Sequence, residues 1–452
     1  MSNTTGTSVN LAVPTGQQER IIILDSLRGF AILGILLMNI PGFALPSPVG
    51  GDPSVLNEWG TINFKVWNFV SWFPEGTQRA IFSMLFGAGI LLFIGGKEKR
   101  LDGLLPADYF FRRQLWLIFF SLIDVFILLW WGDILLDYAL LGMIMYSFRK
   151  LSPKGLLIGA GLCFIFMLAR ENRDLYQDKK IIHRGEMIAS IDTSVTKLTV
   201  IQKEQLGAME DYKARTTPEG RVKRMEKAML KTQGSYEALY EYRTDGYVDS
   251  LVKYLFFGIW DVLLFMFLGM AFFKMGILTG QANVKVYWGM CIIGLGVGLT
   301  LSYFRLQQMV DVKFNWYEYT KKYSFAFYEL SRTFRSIGIL GLLMLLYKSG
   351  LFKWLFALMR PVGQMAFTNY LMQSLLCGLF FYGIGFGMFG KLERYEIYLV
   401  VAAVWTLQII YSHIWLRFFR FGPLEWAWRS LTYWKKQPFK KSNTNKAENT
   451  IF

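Results

Sequence analysis

The stretch IIILDSLRGFAILGILLMNIP, Ile21 to Pro41, decides the fold. Its apolar residues run on without two-residue alternation, and its only charges, Asp25 and Arg28, sit near the start. About twenty such residues are what a helix needs to cross a hydrocarbon layer of about 30 Å. Backbone in lipid must satisfy its own hydrogen bonds, so the run reads as a membrane-spanning helix. It is too long for a signal-peptide core and lacks a small-residue cleavage pattern, so a retained first helix is expected.

Nine further runs follow the same pattern: Gln78–Ile94, Leu115–Trp131, Ile134–Phe148, Gly155–Ala169, Leu251–Phe273, Val286–Phe304, Ser324–Tyr347, Ala366–Phe386 and Tyr398–Leu416. The aromatic piece Phe64–Phe73, broken by Pro74, reads as an interfacial helix leading into the second run. Composition agrees: 53% of residues are apolar, 17% aromatic and only 18% charged. The expected fold is an all-α polytopic transmembrane bundle of about ten spans.

Charge gives an orientation. Lys97, Lys99, Arg100, Arg112 and Arg113, then Arg149, Lys150 and Lys154, then Lys274 and Lys285, then Lys348, Lys353 and Arg360 fill alternate loops, and the tail carries Lys435, Lys436, Lys440 and Lys441. The intervening short loops carry Asp52 and Glu58, Asp133 and Asp137, Glu393 and Glu396. Positive residues collect on the cytoplasmic side, so both termini are expected inside, in a bacterial inner membrane. Topology and attraction to an anionic leaflet explain the net charge of +16. Nucleic-acid binding is not expected, and the lipid bilayer is the expected partner.

The implied organisation is a cytoplasmic tail (1–19), a five-helix half (20–169), an extracytoplasmic loop (170–250), a second five-helix half (251–417) and a basic cytoplasmic tail (418–452). The loop balances 15 Lys or Arg against 14 Asp or Glu, and Ser194–Lys213 and Arg221–Tyr242 show helical spacing. It reads as a helical hairpin capping the outer face, or as a lid or partner-docking element. Cys163, Cys291 and Cys377 fall in spans without disulfide or metal spacing, and with only two histidines no metal site is expected.

Ionisable groups inside a bilayer are costly and mark candidate sites. Toward the outer side lie Arg79, Asp124, Asp133, Asp137, Asp261, Glu329, Arg332 and Arg335. A pocket lined by Asp261, Asp133, Arg79 and Arg332 would account for them, as would ion pairs that fix helix packing. Glu329 and Arg332 share a helix face and can pair. On the inner side Asp25 can cap the first helix, while Arg28 can bind a phosphate or carboxylate, or snorkel. His413 can act as a base or pack. Asn369 and Gln373, four apart, can bond neighbouring helices or, with Asn39, contact substrate. Gly87 to Gly89 and Gly294 to Gly298 read as small-residue helix contacts.

Several of these pieces carry a resemblance: Leu24–Ile35 ending in Met38-Asn39-Ile40; Trp131-Gly132-Asp133-Ile134-Leu135 with Tyr138–Gly142; Thr368–Ser374; and the tail from Phe421 to Tyr433, with Gly422, Pro423, Glu425, Trp426 and Arg429. With Asp25, Arg28, Gly29, Asn369 and Gln373 they resemble the YeiB-like family of bacterial membrane proteins, whose function is largely unassigned. The first run is also similar to the heparan-α-glucosaminide N-acetyltransferase group, which moves an acyl group from cytoplasmic acyl-CoA to a sugar across the membrane using a histidine after the first span. Asn39 to Phe73 contain no histidine.

Two readings follow. One is transport or handling of a small or envelope-linked molecule through a polar cavity. The other is a transmembrane acyltransferase with acyl-CoA as donor, in which Arg28, Arg113 and Arg360 hold phosphates and Asp133, Asp261 or His413 serves as base.

Overall fold

The computed structural model describes residues 21–98, 103–192, 194 and 197–441; the 1–19 tail, Lys99 and Arg100 lie outside them. Among the described residues there is no strand, only one isolated bridge between Phe419 and Lys440. The first part comprises α1 (Ile22–Ala44), α2 (Ser47–Gly51), α3 (Ile62–Trp72), α4 (Thr77–Glu98), α5 (Leu105–Phe126), α6 (Leu135–Tyr146) and α7 (Pro153–Ala189). Four helices form the middle: the hydrophilic α8 (Val200–Thr216), α9 (Pro218–Thr232) and α10 (Tyr236–Thr244), then the more apolar α11 (Tyr247–Phe257). The rest is α12 (Trp260–Lys274), α13 (Val284–Asp311), α14 (Trp316–Lys322), α15 (Tyr328–Ser349), α16 (Lys353–Gln364), α17 (Ala366–Phe381), α18 (Arg394–Phe418) and α19 (Pro423–Tyr433).

Every apolar run is helical, but not every one is long and apolar enough to cross a membrane. Six stretches are: α1, Ile62–Glu98 (α3 with α4), α7, α13, α15 and α18; a seventh is the pair Tyr236–Leu255 and Trp260–Lys274, bent by 54°. The other three runs fall short for physical reasons. Helix α5 carries Asp108, Arg112, Arg113 and Asp124. Helices α6 and α17 have 12 and 16 residues, about 18 and 24 Å at 1.5 Å per residue, short of a layer about 30 Å thick. Both are largely buried among other helices. The sequence piece Phe64–Phe73 is α3, joined to α4 through the turn at Pro74.

The outside of the bundle is apolar. Leu115, Phe119 and Leu122 of α5, Ile158, Leu162 and Ile165 of α7, Ile292 and Ile293 of α13, and Leu407, Ile410 and Ile414 of α18 are all exposed. Apolar belts of that extent are not left to water.

Inside, small residues let helices touch backbone to backbone. A Cβ on Gly269 of α12 would stand 1.9 Å from the Met84 carbonyl oxygen of α4, and one on Gly87 2.3 Å from that of Met266. Gly294 and Gly338 make the same close seam between α13 and α15. Gly87, Gly294 and Gly298 therefore act as the sequence suggests, whereas Gly296 faces open space. The three cysteines are buried and unbridged.

The alternate loops meet at opposite ends. At the basic end Arg149 pairs with Glu98, and Lys274 Nζ donates to the carbonyls of Arg149 (2.8 Å) and Leu151 (2.6 Å). At the other end Arg394, 1% exposed at its side chain, pairs with Glu58 at 2.7 Å and donates to the carbonyls of Gly50 and Val49. Helix α7 passes unbroken through Ala169, the sequence boundary between the first half and the loop. Helix α8 begins in a Thr199/Gln202 capping box and α9 with Pro218 at its first turn. This helical cap is fastened to the bundle by a buried pair between Arg221 of α9 and Asp52.

Candidate functional site

A cavity of about 630 Å³ runs from the basic end along α4, from Gly96 to Phe82, and is closed by α1, α5, α17 and α19. Phe82, Leu85, Phe86, Leu117 and Phe273 give it apolar walls. That size suits a small-molecule ligand.

Three guanidinium groups line its basic end: Arg28, Arg113 and Arg429. Arg28 Nη1 donates to Asp25 Oδ1 at 2.9 Å, and Gln364 Nε2 donates to the other Asp25 oxygen at 3.3 Å. Asp25 thus aims Arg28 and ties α1 to α16. The contact depends on glycine, since a Cβ on Gly29 would meet the Met359 carbonyl at 2.1 Å and one on Gly363 the Asp25 carbonyl at 1.8 Å. Arg113 stacks over Trp428 with its guanidinium carbon 4.1 Å from the ring centre, while Trp428 Nε1 donates to the Arg113 carbonyl at 2.9 Å. Arg113 lies in the positive field of both Arg429 and Arg28.

Helix α19 is folded back to this position by the tail motif. Glu425 Oε1 accepts from the Phe367 and Thr368 amides at 2.8 and 3.0 Å, and Thr368 Oγ1 donates to Oε2 at 2.5 Å. A carboxylate at the start of α17 satisfies amides that lack helical partners and suits the helix dipole. The Leu424 amide donates to Thr368 Oγ1 at 3.1 Å, and a Cβ at Gly422 would lie 2.1 Å from Glu425 Oε2, so a larger residue there would displace that carboxylate. Pro423 opens the helix, and Trp426 Nε1 donates to the Gln437 carbonyl at 2.8 Å. Burial pushes the Glu425 carboxyl above its ordinary value, against the hydrogen bonds from Thr368.

At the far end stand Tyr138 and Tyr370. Tyr370 Oη donates to Asp133 Oδ1 at 3.1 Å and accepts from the Ile134 amide at 3.1 Å. Asp133 Oδ2 accepts from the Leu135 and Leu136 amides at 3.0 and 3.2 Å and from the Ser121 hydroxyl. Asp133 therefore caps α6 and orients Tyr370, with both its oxygens occupied. Asp124, fully buried, stands beside Asp133 and Ser374. Tyr138 Oη is 2.9 Å from Ser83 Oγ.

The remaining candidates fall into separate groups. Asp261 pairs with Arg79 at 2.9 Å and Arg332 at 3.1 Å; Arg332 pairs with Glu329 at 2.5 Å. Asp137 faces Arg79 and Asp261. These charges neutralise one another between α4, α12 and α15, and Asp133 is not among them. Arg335 Nη1 donates to the Trp72 carbonyl at 2.7 Å, closing the end of α3. Asn369 Nδ2 donates to Ser412 Oγ at 3.0 Å, and Gln373 Nε2 to Gln408 Oε1 at 3.0 Å and the Ile32 carbonyl at 3.1 Å. Both residues join helices. Asn39, half-buried, lines no part of the cavity. His413 and Arg360 line a second pocket, apart from Arg28 and Arg113.

In the sequence Arg429, Trp428 and Tyr138 stood only within family motifs, not in a cavity. The readable signal for α19 was its spacing, with Leu424, Ala427, Trp428 and Leu431 on the face that packs on the core.

Membrane-length helices, an apolar exterior and buried, hydrogen-bonded polar side chains define a multi-pass helical membrane protein. The family described as "Protein of unknown function (DUF418)" matches residues 272–435. The chain is 30% identical to "Uncharacterized protein YxaH" of Bacillus subtilis (strain 168), over 95% of its own length and 98% of that protein. It is also 30% identical to "Uncharacterized protein YeiB" of Escherichia coli (strain K12), over 92% and 96% of the two chains. An "Uncharacterized 39.9 kDa protein in amylase 3'region" of Bacillus acidopullulyticus is 24% identical over 94% and 97%. The chain belongs to this YeiB-like DUF418 family. No solved structure matches it.

Proposed function

We propose that the protein binds an anionic amphipathic small molecule in the cavity between α1, α4, α5, α17 and α19, and transports or handles it across a bacterial inner membrane. The basic end faces the cytoplasm in this reading. The observation that carries it is the convergence of Arg28, Arg113 and Arg429 on one end of an apolar-walled space of about 630 Å³. Guanidinium groups suit phosphate and carboxylate oxygens, while the walls suit an acyl or isoprenoid chain. Thermal-shift titration of the detergent-purified protein with a long-chain acyl-CoA, a lysophosphatidate and their uncharged alcohol tests it. The anions are expected to raise the melting temperature, the alcohol not. Equal shifts for the alcohol, or full retention of binding in Arg28→Gln/Arg113→Gln, would sink the proposal.

A second reading, acyl transfer, draws on Tyr370. Its hydroxyl lines the cavity and donates to Asp133, so the Tyr370–Asp133 pair supplies a proton-transfer group at the cavity's far end. The acyl–sulfur bond of a bound acyl-CoA would break, and an acceptor hydroxyl would gain the acyl group and pass its proton to the thiolate. Release of free thiol that stops in Tyr370→Phe supports this reading; no release with any acceptor in membranes rejects it.

A further inference from the structure

We propose that Asp124 and Asp133 form a proton-binding site, one proton shared by two buried carboxyls beside the far end of the cavity. Asp124 lies on the last turn of α5 and Asp133 caps α6, so the turn between these helices brings the two side by side. Asp133 is built to carry charge. Its oxygens accept from Tyr370 Oη, the Ser121 hydroxyl and the Leu135 and Leu136 amides. Asp124 is built otherwise: it is 0% exposed, and neither of its oxygens has a hydrogen-bond partner, although Ser374 stands beside them. A carboxylate out of water, without a donor and next to a second carboxylate, meets both a desolvation cost and like-charge repulsion. A proton on Asp124, donated toward Asp133, removes both, and the pair then titrates as one unit.

A second observation does not involve the acids themselves. Tyr382, which follows α17, is fully buried, its hydroxyl has no partner, and it lies close enough to feel the charge of Asp124. The next residue, Gly383, donates from its amide to the Thr232 carbonyl of α9 in the cap. Behind Tyr382, Arg243 of α10 sets its guanidinium carbon 5.1 Å from the ring centre and donates to the Gly42 carbonyl at 3.4 Å. Tyr247, half-buried at the start of α11, feels both Asp124 and Asp133. The titratable groups facing the pair are therefore Tyr370, Tyr382, Tyr247 and Asp137, the last opposed by Arg79. Tyr382 and Tyr247 stand between the cap and the acids, and Tyr370 between the acids and the cavity. A hydroxyl both donates and accepts, so it can pass a proton on.

The position of the proton decides what Tyr370 offers the cavity. With the proton on Asp124, Tyr370 Oη commits its hydrogen to Asp133 Oδ1. With the proton moved to Asp133 Oδ1, that bond reverses: the carboxyl donates to Tyr370 Oη, and the phenolic hydrogen turns to a ligand. One O–H bond breaks at Asp124 and one forms at Asp133. This coupling rests on the ligand reading of the cavity, whereas the proton site stands without it.

Infrared difference titration of the full chain in neutral detergent, with no ligand added, reads the site. A protonated-carboxyl C=O band is expected that fades as pH rises and shifts in heavy water. Asp124→Asn, which copies the shape of the protonated acid, should lose that band, and Glu425→Gln should keep it. Tyr370→Phe removes a donor from Asp133 and should tighten proton binding about tenfold, moving the titration to higher pH. Should Asp124→Asn not fold, Tyr370→Phe decides alone. A band that neither titrates nor shifts in heavy water marks a structural carboxyl and overturns the proposal. So does a band that survives Asp124→Asn, or a titration unmoved in Tyr370→Phe. Loss of the band when sodium chloride replaces choline chloride would assign the site to a metal cation and overturn it equally.

Discussion

Single side chains here do structural work that their sequence context half conceals. Glu425 belongs to a tail motif that invites a functional reading, yet both its oxygens serve the start of α17. Glu425→Ala would strip the Phe367 and Thr368 amides of their acceptor, a loss of about 1–3 kcal/mol for each buried group left unpaired, seen as a fall in melting temperature. The pH dependence has a definite sign. Because the folded carboxyl titrates above its ordinary value of 4.5, the folded state holds the proton longer than the unfolded chain does. Stability from this group is therefore greatest below about 4.5 and declines as pH rises through the higher folded value. Glu425→Gln should flatten that slope in melting curves taken across the range; an unaltered slope would assign it to other groups. Asp261 is the counterpart inside the bundle. Asp261→Asn should destabilise the ligand-free protein by roughly 3–5 kcal/mol, since Arg79 and Arg332 lose a buried counter-charge. An unchanged melting temperature would mean that the aspartate serves a ligand only.

Elements were legible to different degrees. The ten apolar runs all became helices because lipid-length runs without alternation allow little else. How many of them cross the membrane was not legible, since run length in sequence ignores the turn that ends α6 at Tyr146 and the break before α17 at Met365. The glycine seams were readable as small-residue contacts, but their partners were not, because Gly87 meets Met266 across 179 residues of chain. The candidate site was read in pieces. Arg28, Arg113 and Arg360 were grouped as phosphate holders; the first two line the cavity with Arg429, whereas Arg360 lines the second pocket. Distances between loops, which set that grouping, are fixed by the packing of α16 and α19 and leave no trace in local sequence. Helix contacts also give a sharp test. Gly269→Val forces side-chain atoms into the Met84 carbonyl, so α4 and α12 must part; loss of a monodisperse species in size-exclusion chromatography is expected, whereas Gly296→Val, facing open space, should behave as wild type.

The molecule as a whole is a bundle with a helical cap held at the end opposite the basic loops. The charge alternation in the sequence predicted that the loops would sort to two ends, and the contacts of Lys274 with Arg149 and of Arg394 with Glu58 agree. The loop read as a helical hairpin capping the outer face, or as a lid or docking element; its attachment was hidden because Asp52 and Arg221 are distant in sequence. Their side chains are 3% and 8% exposed, so Arg221→Ala leaves a buried carboxylate alone, at a cost of roughly 3–5 kcal/mol. Faster tryptic cleavage between Lys197 and Arg243, with the rest of the chain intact, would report the cap lifting; unchanged cleavage would show that the cap is held elsewhere.

The unbroken helix α7 ties the cap to the bundle like a crankshaft. At 3.6 residues per turn, each residue removed beyond Ala169 swings everything distal through about 100° and lowers it by about 1.5 Å. A one-residue deletion there would carry Arg221 out of phase with Asp52, whereas a seven-residue deletion, close to two whole turns, would restore the angle but drop the cap by about 10 Å. The cap is thus indexed to the bundle by helical phase, and lineages can lengthen or shorten this mast only in whole turns if they keep the clasp.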